Sequence, residues 1–272
     1  MSVFLRSIAT FGFLALVFSA PAPAQDSSLV AIKTPRGVTQ KFILIKPKEP
    51  SKASVILFAG GHGALKLKTA TTMGWGTGNF LVRVRDRFAA HGITVAVADA
   101  PSDRQKGMNA VFRMSGGHAS DIGTMAAYLK KQANVPVWLV GTSMGTFSAA
   151  AGAIAVRDVD GLVLTSSITR SAPQWNIARS YPGGVASMAL QKVKLPALIV
   201  AHAKDACEHT PASDVSKLRA KLANAQPVEV VVLDGGDPPR SEPCQAFSQH
   251  GFIGIEDKAV DTVARFILAN SK

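Results

Sequence analysis

Short apolar runs alternate along the chain with segments in which apolar residues recur every three or four positions. Residues 55–59 form a continuous apolar run, which is typical of a parallel strand buried on both faces. Further strands are predicted at residues 93–98, 137–140, 162–164, 197–201 and 228–233. Helical spacing is shown by Leu81, Val84 and Phe88; by Ile122, Met125, Ala126 and Leu129; by Val215, Leu218 and Leu222; and by Val260, Val263, Ala264 and Ile267. Strands therefore alternate with amphipathic helices.

The chain before residue 55 has a different pattern. Residues 29–32 and 41–45 are rich in strand-forming residues and flank a turn sequence at 34–37, so they predict a hairpin at the edge of a sheet. Beyond this hairpin, the alternation predicts an α/β fold, a mostly parallel sheet with helices on both faces. Ligands of such sheets bind outside the carboxyl ends of the strands. Residues 25–272 suit a single domain of this kind.

The sequence Gly-Thr-Ser-Met-Gly at 141–145 lies between the strand at 137–140 and a run of small residues at 146–156, which predicts a helix. A serine in G-x-S-x-G at such a junction occupies a sharp turn, because the glycines two positions away on each side let the backbone fold tightly. The turn holds the hydroxyl above the edge of the sheet. Ser143 is therefore the candidate nucleophile, and an ordinary glycine-rich turn is the alternative.

A serine hydroxyl becomes a good nucleophile when a base accepts its proton and a third group orients that base. In enzymes with this turn, the acid and then the histidine follow the serine along the chain. His250, in the loop before the last helix, satisfies this order and is the candidate base. Asp205 follows the strand at 197–201 and is the candidate acid, while Asp234, at the end of the next strand, is its rival.

A tetrahedral intermediate needs backbone donors for its oxyanion. The residue after the nucleophile supplies one donor, which indicates the N–H of Met144. We expect the other in Gly-Gly-His-Gly at 60–63, directly after the strand at 55–59, because glycines let the backbone approach a substrate oxygen. Gly61 is the first choice and His62 the next, with a plain tight turn as the alternative.

The first 24 residues carry one basic residue, Arg6, and no acidic residue. An apolar stretch at 8–18 precedes Ala-Pro-Ala at 22–24, which is typical of a secretory signal peptide and its cleavage site. The stretch is shorter than a membrane-spanning helix. We therefore predict an exported chain that begins near Gln25 and is located in the periplasm or outside the cell; an uncleaved anchor is the alternative.

Removal of Arg6 with the signal peptide changes the net charge from +12 to +11. The basic residues are scattered, with no aromatic residues interleaved and no nucleic-acid motif, so no nucleic-acid partner is predicted. A solvated basic surface is the preferred interpretation, and attraction to an anionic cell envelope or to acidic ligands is the alternative. We expect no stable membrane insertion after cleavage, and the oligomeric state stays open. Two cysteines are too few for a zinc site, so no metal is predicted.

The two cysteines are Cys207 and Cys244. An even number of cysteines in an exported chain favours a disulfide. This bridge would connect the loop that holds Asp205 with the loop that holds His250. We therefore expect it to align the acid with the base.

The chain resembles an α/β-hydrolase-fold serine hydrolase over essentially its whole exported part. The resemblance lies in the order of its motifs, which are residues 55–61, 141–145, Asp205 and 250–252. The chain departs from the usual pattern by placing Ala59 where many members have the histidine of a His-Gly pair. The resemblance implies an esterase, lipase, thioesterase or related acyl-transfer activity without a cofactor, and it does not choose among them.

We predict an exported serine hydrolase that cleaves a small-molecule carboxylic ester. A thioesterase or amidase, or a non-catalytic binding module of the same fold, is the alternative. Residues 166–195 are too few for a cap with its own core, so we expect a short cap and a shallow, open pocket that prefers small esters. Trp175 is expected either in the wall of this pocket or packed against the sheet.

Overall fold

The computed structural model describes residues 26–271, which form one eight-stranded sheet with helices packed on both faces. The predicted signal peptide, residues 1–24, lies outside the described residues. The strands are β1 Asp26–Lys33, β2 Thr39–Lys46, β3 Ala53–Phe58, β4 Ile93–Ala98, β5 Val137–Ser143, β6 Gly161–Ser167, β7 Ala197–His202 and β8 Val228–Leu233. Every strand predicted from the apolar pattern is confirmed.

The strands are ordered β1-β2-β4-β3-β5-β6-β7-β8 across the sheet. The pairs β1–β2 and β2–β4 are antiparallel, which confirms the predicted hairpin at one edge. All other neighbouring pairs are parallel. The carboxyl ends of β3, β5, β6, β7 and β8 therefore meet at one edge of the sheet, with β5 between β3 and β6.

Helices cover both faces of the sheet. They are α1 Phe80–Arg83, α2 Arg85–Ala90, α3 Ala110–Arg113, α4 Gly116–Ala133, α5 Gly145–Ala155, α6 Val215–Lys221 and α7 Glu256–Ala269. Helices α4, α5 and α6 pack in the same core as Ile56 and Phe58 of β3, whereas α1, α2 and α7 pack with Val55 and Leu57. Alternate side chains of β3 enter opposite cores, which explains why its sequence is continuously apolar.

The helix predicted from Leu81, Val84 and Phe88 is divided into α1 and α2. Val84 leaves helical geometry, with φ −100° and ψ 3°. All three predicted side chains are nevertheless fully buried. The break therefore leaves the predicted apolar face intact. The helix α3 was not predicted, because four residues are too short to show a period.

The connection between β6 and β7 contains only two 3₁₀ turns in the described chain, Gly184–Ser187 and Leu190–Lys192. Its side chains Ile168, Ile177 and Val185 are buried in the core that contains α5 and α6. The segment therefore packs on the sheet-covering layer and forms no cap with a core of its own, as predicted. No helix within residues 26–271 has both the length and the apolar character required to cross a membrane.

Candidate active site

The turn at 141–145 connects the central strand β5 to α5. Ser143 is the last residue of β5 and has a left-handed backbone, with φ +51°. A Cβ on Gly145 would lie 2.1 Å from the Phe58 carbonyl oxygen, and a Cβ on Gly141 would lie 2.5 Å from the Gly145 carbonyl oxygen. Both positions therefore require glycine. An unusual backbone of this kind is maintained by the surrounding structure and is typical of functional sites.

His250 and Asp205 come together from loops that follow different strands. The Nδ1 atom of His250 lies 3.0 Å from Oδ2 of Asp205, and both side chains are almost completely buried. An ionised carboxylate only accepts hydrogen bonds, so Nδ1 carries the proton and Nε2 is available as an acceptor. Asp205 also accepts from the Cys207 N–H at 3.0 Å and from the Thr210 hydroxyl at 2.8 Å. The carboxylate is therefore held by three donors.

The backbone of His250 is held from two sides. The hydroxyl of Ser166, in the left-handed region at the end of β6, donates to the His250 carbonyl oxygen at 2.8 Å. The His250 N–H donates to the Ser248 hydroxyl at 3.2 Å. On the next peptide, the guanidinium of Arg83 donates to the Gly251 carbonyl oxygen at 2.6 Å. These contacts orient the imidazole through its backbone as well as through Asp205.

The rival acid, Asp234, is exposed and, within residues 26–271, forms no hydrogen bond or ion pair with His250. Its carboxylate accepts from the N–H of Gly235 at 2.7 Å and is 3.4 Å from the ammonium of Lys204. The hydrogen bond from Gly235, with a further contribution from Lys204, lowers the pKa of Asp234. The geometry therefore brings Asp205, and not Asp234, to the candidate base.

The predicted disulfide between Cys207 and Cys244 is present, with its Cα atoms 4.6 Å apart. It joins the loop after β7 to the loop between β8 and α7, and both cysteines line the pocket at Ser143. Because the Cys207 N–H donates to Asp205, the same residue forms the disulfide and one of the hydrogen bonds that hold the acid.

A pocket of about 370 Å³, open to solvent on one side, lies over the carboxyl ends of the strands. Ser143 and His250 both line it. Aromatic and apolar groups form much of the remaining wall, namely Trp75, Phe80, Met144, Ile168 and Trp175. Within residues 26–271, the hydroxyl of Ser143 makes no hydrogen bond, so the structure contains no hydrogen bond between it and Nε2 of His250. The site thus joins a free hydroxyl and an oriented imidazole at one small pocket.

The backbone of the candidate oxyanion loop, residues 60–63, closely approaches the nucleophile. A Cβ on Gly60 would lie 2.9 Å from the Cβ of Ser143, which only glycine avoids. Gly60, Gly61 and Met144 all line the pocket. Among the described residues, no backbone carbonyl accepts from the N–H of Gly61 or of Met144. His62 does not line the pocket; its ring stacks at 3.8 Å on Trp75.

Burial lowers the pKa of His62, and the charges of Lys66 and Arg113 lower it further. His62 Nδ1 also accepts a hydrogen bond from the Ala64 N–H. The imidazole is therefore neutral and serves to shape the loop. Within residues 26–271, no group of three or more histidine, cysteine or acidic side chains could hold a metal ion.

Several contacts at the site were not predicted. Thr210 donates to Asp205, and its hydroxyl is also 3.0 Å from Nδ1 of His250. Trp175 lines the pocket, lies 4.8 Å from the ring of His209 and also packs on the core, so both expectations for it hold. Asn79 lines the pocket, and its Nδ2 lies 3.3 Å from the position of a Gly60 Cβ. No local motif distinguishes these residues; only their proximity identifies them.

The chain is similar in structure to several solved hydrolases. An esterase from an Arctic intertidal metagenomic library, described as cold-adapted, matches with a TM-score of 0.61 and 15% identity over 93% of this chain and 97% of its own. The α/β hydrolase GrgF from Penicillium sp. sh18 matches with a TM-score of 0.62 and 14% identity over 90% and 99% of the two chains. Dienelactone hydrolase from Anabaena variabilis matches with a TM-score of 0.59 and 15% identity over 91% and 99%.

No protein-family model matches the sequence, and no curated protein matches it. Because the structural similarity extends over about nine-tenths of this chain, the protein has the α/β-hydrolase fold. This confirms the fold class predicted from the pattern of strands and helices.

Proposed function

We propose that the protein is an exported serine hydrolase that cleaves a carboxylic ester. The observation that carries the proposal is the buried His250–Asp205 hydrogen bond at 3.0 Å, since His250 lines the same pocket as Ser143, whose backbone is left-handed. A base with its tautomer set by a carboxylate, in one pocket with a half-buried serine hydroxyl, provides the groups that nucleophilic acyl transfer requires. The structural neighbours described as esterases are consistent with it.

In the acylation half-reaction, Ser143 Oγ attacks the ester carbonyl while Nε2 of His250 takes the hydroxyl proton. Asp205 holds Nδ1 and stabilises the imidazolium that forms. The N–H groups of Met144 and Gly61 donate to the oxyanion. The bond between the carbonyl carbon and the alcohol oxygen then breaks, and His250 returns the proton to the departing alcohol.

In the second half-reaction, His250 takes a proton from water, whose oxygen attacks the acyl group on Ser143. Collapse of this second tetrahedral intermediate releases the carboxylic acid and returns the proton to Ser143. Both halves use the same donors and the same base, so no cofactor enters the scheme.

The size of the pocket favours small esters. At about 370 Å³, it is near the lower end of ligand-binding pockets, and the connection after β6 adds no deep cap above it. A long acyl chain would leave much of its apolar surface in water and gain little of the roughly 0.8 kcal/mol available per buried CH₂. We expect kcat/KM to be highest for acyl groups of short length, measured across a series of p-nitrophenyl esters.

Ser143→Ala tests the mechanism. Hydrolysis of a short p-nitrophenyl ester should fall by several orders of magnitude, and a fluorophosphonate probe should label wild type but not the variant. Ser115→Ala, which alters a serine at the start of α4, is the matched control and should retain both properties. Unchanged hydrolysis in Ser143→Ala would reject the serine mechanism, and absence of probe labelling in wild type would favour a non-catalytic binding module. The same assay with thioester and amide analogues identifies the leaving group.

A further inference from the structure

Arg113, at the end of α3, is a fully buried cation behind the loop at 60–63. Its Nη2 donates to the carbonyl oxygens of Gly61 at 3.1 Å and Ala59 at 3.3 Å. Its Nη1 donates to the Ser148 hydroxyl at 2.9 Å, and its Nε to the Met108 carbonyl oxygen at 3.4 Å. Within residues 26–271, Arg113 forms no ion pair with a carboxylate.

Burial lowers the pKa of Arg113 to about 10, so the side chain remains charged at neutral pH. A buried charge without a counter-ion is costly, and neutral dipoles compensate it only in part. A residue that served only to fill this space could be apolar at lower cost. The useful property of Arg113 is therefore its rigid set of donors, which binds groups on two different elements.

The two backbone carbonyls that Arg113 holds lie on either side of the Gly60–Gly61 peptide. Gly61 has φ +56°, and neither residue has a Cβ that would oppose rotation of the peptide between them. If this peptide turned over, it would present its carbonyl oxygen where its N–H had been. A carbonyl dipole in that position would repel the developing oxyanion.

Arg113 also connects this loop to the helix that follows the nucleophile. Ser148, which receives the Nη1 hydrogen bond, lies in α5, and Met144 is the residue directly before that helix. The same guanidinium thus fixes the loop of one proposed oxyanion donor and the helix next to the other. Loss of these hydrogen bonds would let the two donors move independently.

We propose that Arg113 is a positioning residue for ester hydrolysis, which holds the Ala59 and Gly61 carbonyls so that the Gly61 N–H stays directed at the oxyanion. This inference rests on the proposed function. Arg113 acts through the backbone and does not touch the substrate. Its contribution is therefore made to the tetrahedral transition state and not to the binding of the ester.

Arg113→Gln and Arg113→Lys test this proposal. Removal of one oxyanion donor lowers kcat by about 10²–10³-fold in enzymes of this type, and we expect about 10²-fold for Arg113→Gln. The KM for a short p-nitrophenyl ester should change by less than about threefold, while the affinity for an alkylboronic acid, which forms a tetrahedral adduct with the serine, should fall in proportion to kcat. Arg113→Lys retains the charge but has fewer donors, so its kcat should lie between those of wild type and Arg113→Gln.

His118→Gln is the matched control. His118 is buried beside Arg113 and bonds the same Ser148 hydroxyl at 2.9 Å, but it does not contact the loop at 60–63. This variant should lose stability and retain kcat. Should Arg113→Gln fail to fold, Arg113→Lys provides the same comparison with the cavity better filled.

The proposal is overturned if folded Arg113 variants keep kcat within about threefold of wild type, or if boronic acid affinity is unchanged. It is also overturned if activity falls only in parallel with the folded fraction, as measured by circular dichroism, because a purely structural role predicts that result. Hydrolysis that persists in Ser143→Ala is a separate result, which would reject the proposed function itself.

Discussion

Replacement of Asp205 by asparagine reverses the hydrogen bonding of His250 while keeping the size of the side chain. Asp205 Oδ1 accepts from the Cys207 N–H, and Oδ2 accepts from His250 Nδ1 and the Thr210 hydroxyl. In the variant, the side-chain oxygen must stay at the Oδ1 position, because an NH₂ group there would face the backbone N–H of Cys207. The NH₂ group therefore occupies the Oδ2 position and faces Nδ1.

An NH₂ group opposite Nδ1 requires that Nδ1 accept, so the proton moves to Nε2 and His250 cannot take a proton from Ser143. The opposite amide orientation would leave a buried donor unsatisfied at a cost of about 1–3 kcal/mol, which limits the active tautomer to between roughly one part in five and roughly one part in 160. Loss of the charge that stabilises the imidazolium lowers the rate further. We expect kcat to fall by about 10⁴-fold in total, or about 5 kcal/mol.

The assay is steady-state hydrolysis of a short p-nitrophenyl ester, with circular dichroism to compare the folded fraction. Asp234→Asn is the matched control, since this carboxylate is 59% exposed and contacts Lys204 instead of the base. Its kcat should stay close to that of wild type. A decrease of less than tenfold for Asp205→Asn in folded protein, or a larger effect for Asp234→Asn, would refute the assignment of the acid.

Three further results are expected. Gly60→Ala should lower kcat and the rate of fluorophosphonate labelling by about 10²-fold, because the new Cβ would lie 2.9 Å from the Cβ of Ser143. Labelling of the variant at the wild-type rate would contradict this prediction. The double variant Cys207→Ser/Cys244→Ser, which opens a loop with a sequence separation of 37, should lower the free energy of unfolding in urea by about 4 kcal/mol, and a loss below about 1 kcal/mol would disagree with the entropy model. Burial lowers the pKa of His118 from 6.5 to about 3, so below pH 6.5 the proton binds only the unfolded chain and stability falls by up to about 1.4 kcal/mol per pH unit. The free energy of unfolding should therefore depend less steeply on pH between 6.5 and 4 in His118→Gln, and an unchanged slope would contradict the burial argument.

The order of chemical groups along the chain was sufficient to find the candidate nucleophile and base and to reduce the candidate acid to two carboxylates. Within the turn at 141–145, Gly141 is required by the nearby Gly145 carbonyl oxygen, whereas Gly145 is required by the Phe58 carbonyl oxygen of β3. Once a strand and a helix flank it, the sequence specifies the turn. Chain order then selects His250, but it separates Asp205 from Asp234 only weakly, because both follow strands whose carboxyl ends lie at the same edge.

Tertiary packing separated the two carboxylates. Asp205 lies in a buried position with three donors, whereas Asp234 is turned towards solvent and Lys204. The difference depends on where the loop after β8 runs and on its disulfide to Cys207. Neither property has a local sequence signal, because each depends on residues that are distant along the chain.

The sequence by itself determined the α/β architecture, the presence and order of the strands and the position of the serine turn, since the apolar period acts over a few residues. Only the tertiary structure decided which residues contact and support the loops of the site. Arg113 precedes the nucleophile by 30 positions and shows no motif, yet it contacts the loop after β3 and the helix after β5. Hydrogen bonds between such elements depend on strand order and on the crossing of helices over the sheet, and these are set by the packing of the whole core rather than by any local pattern.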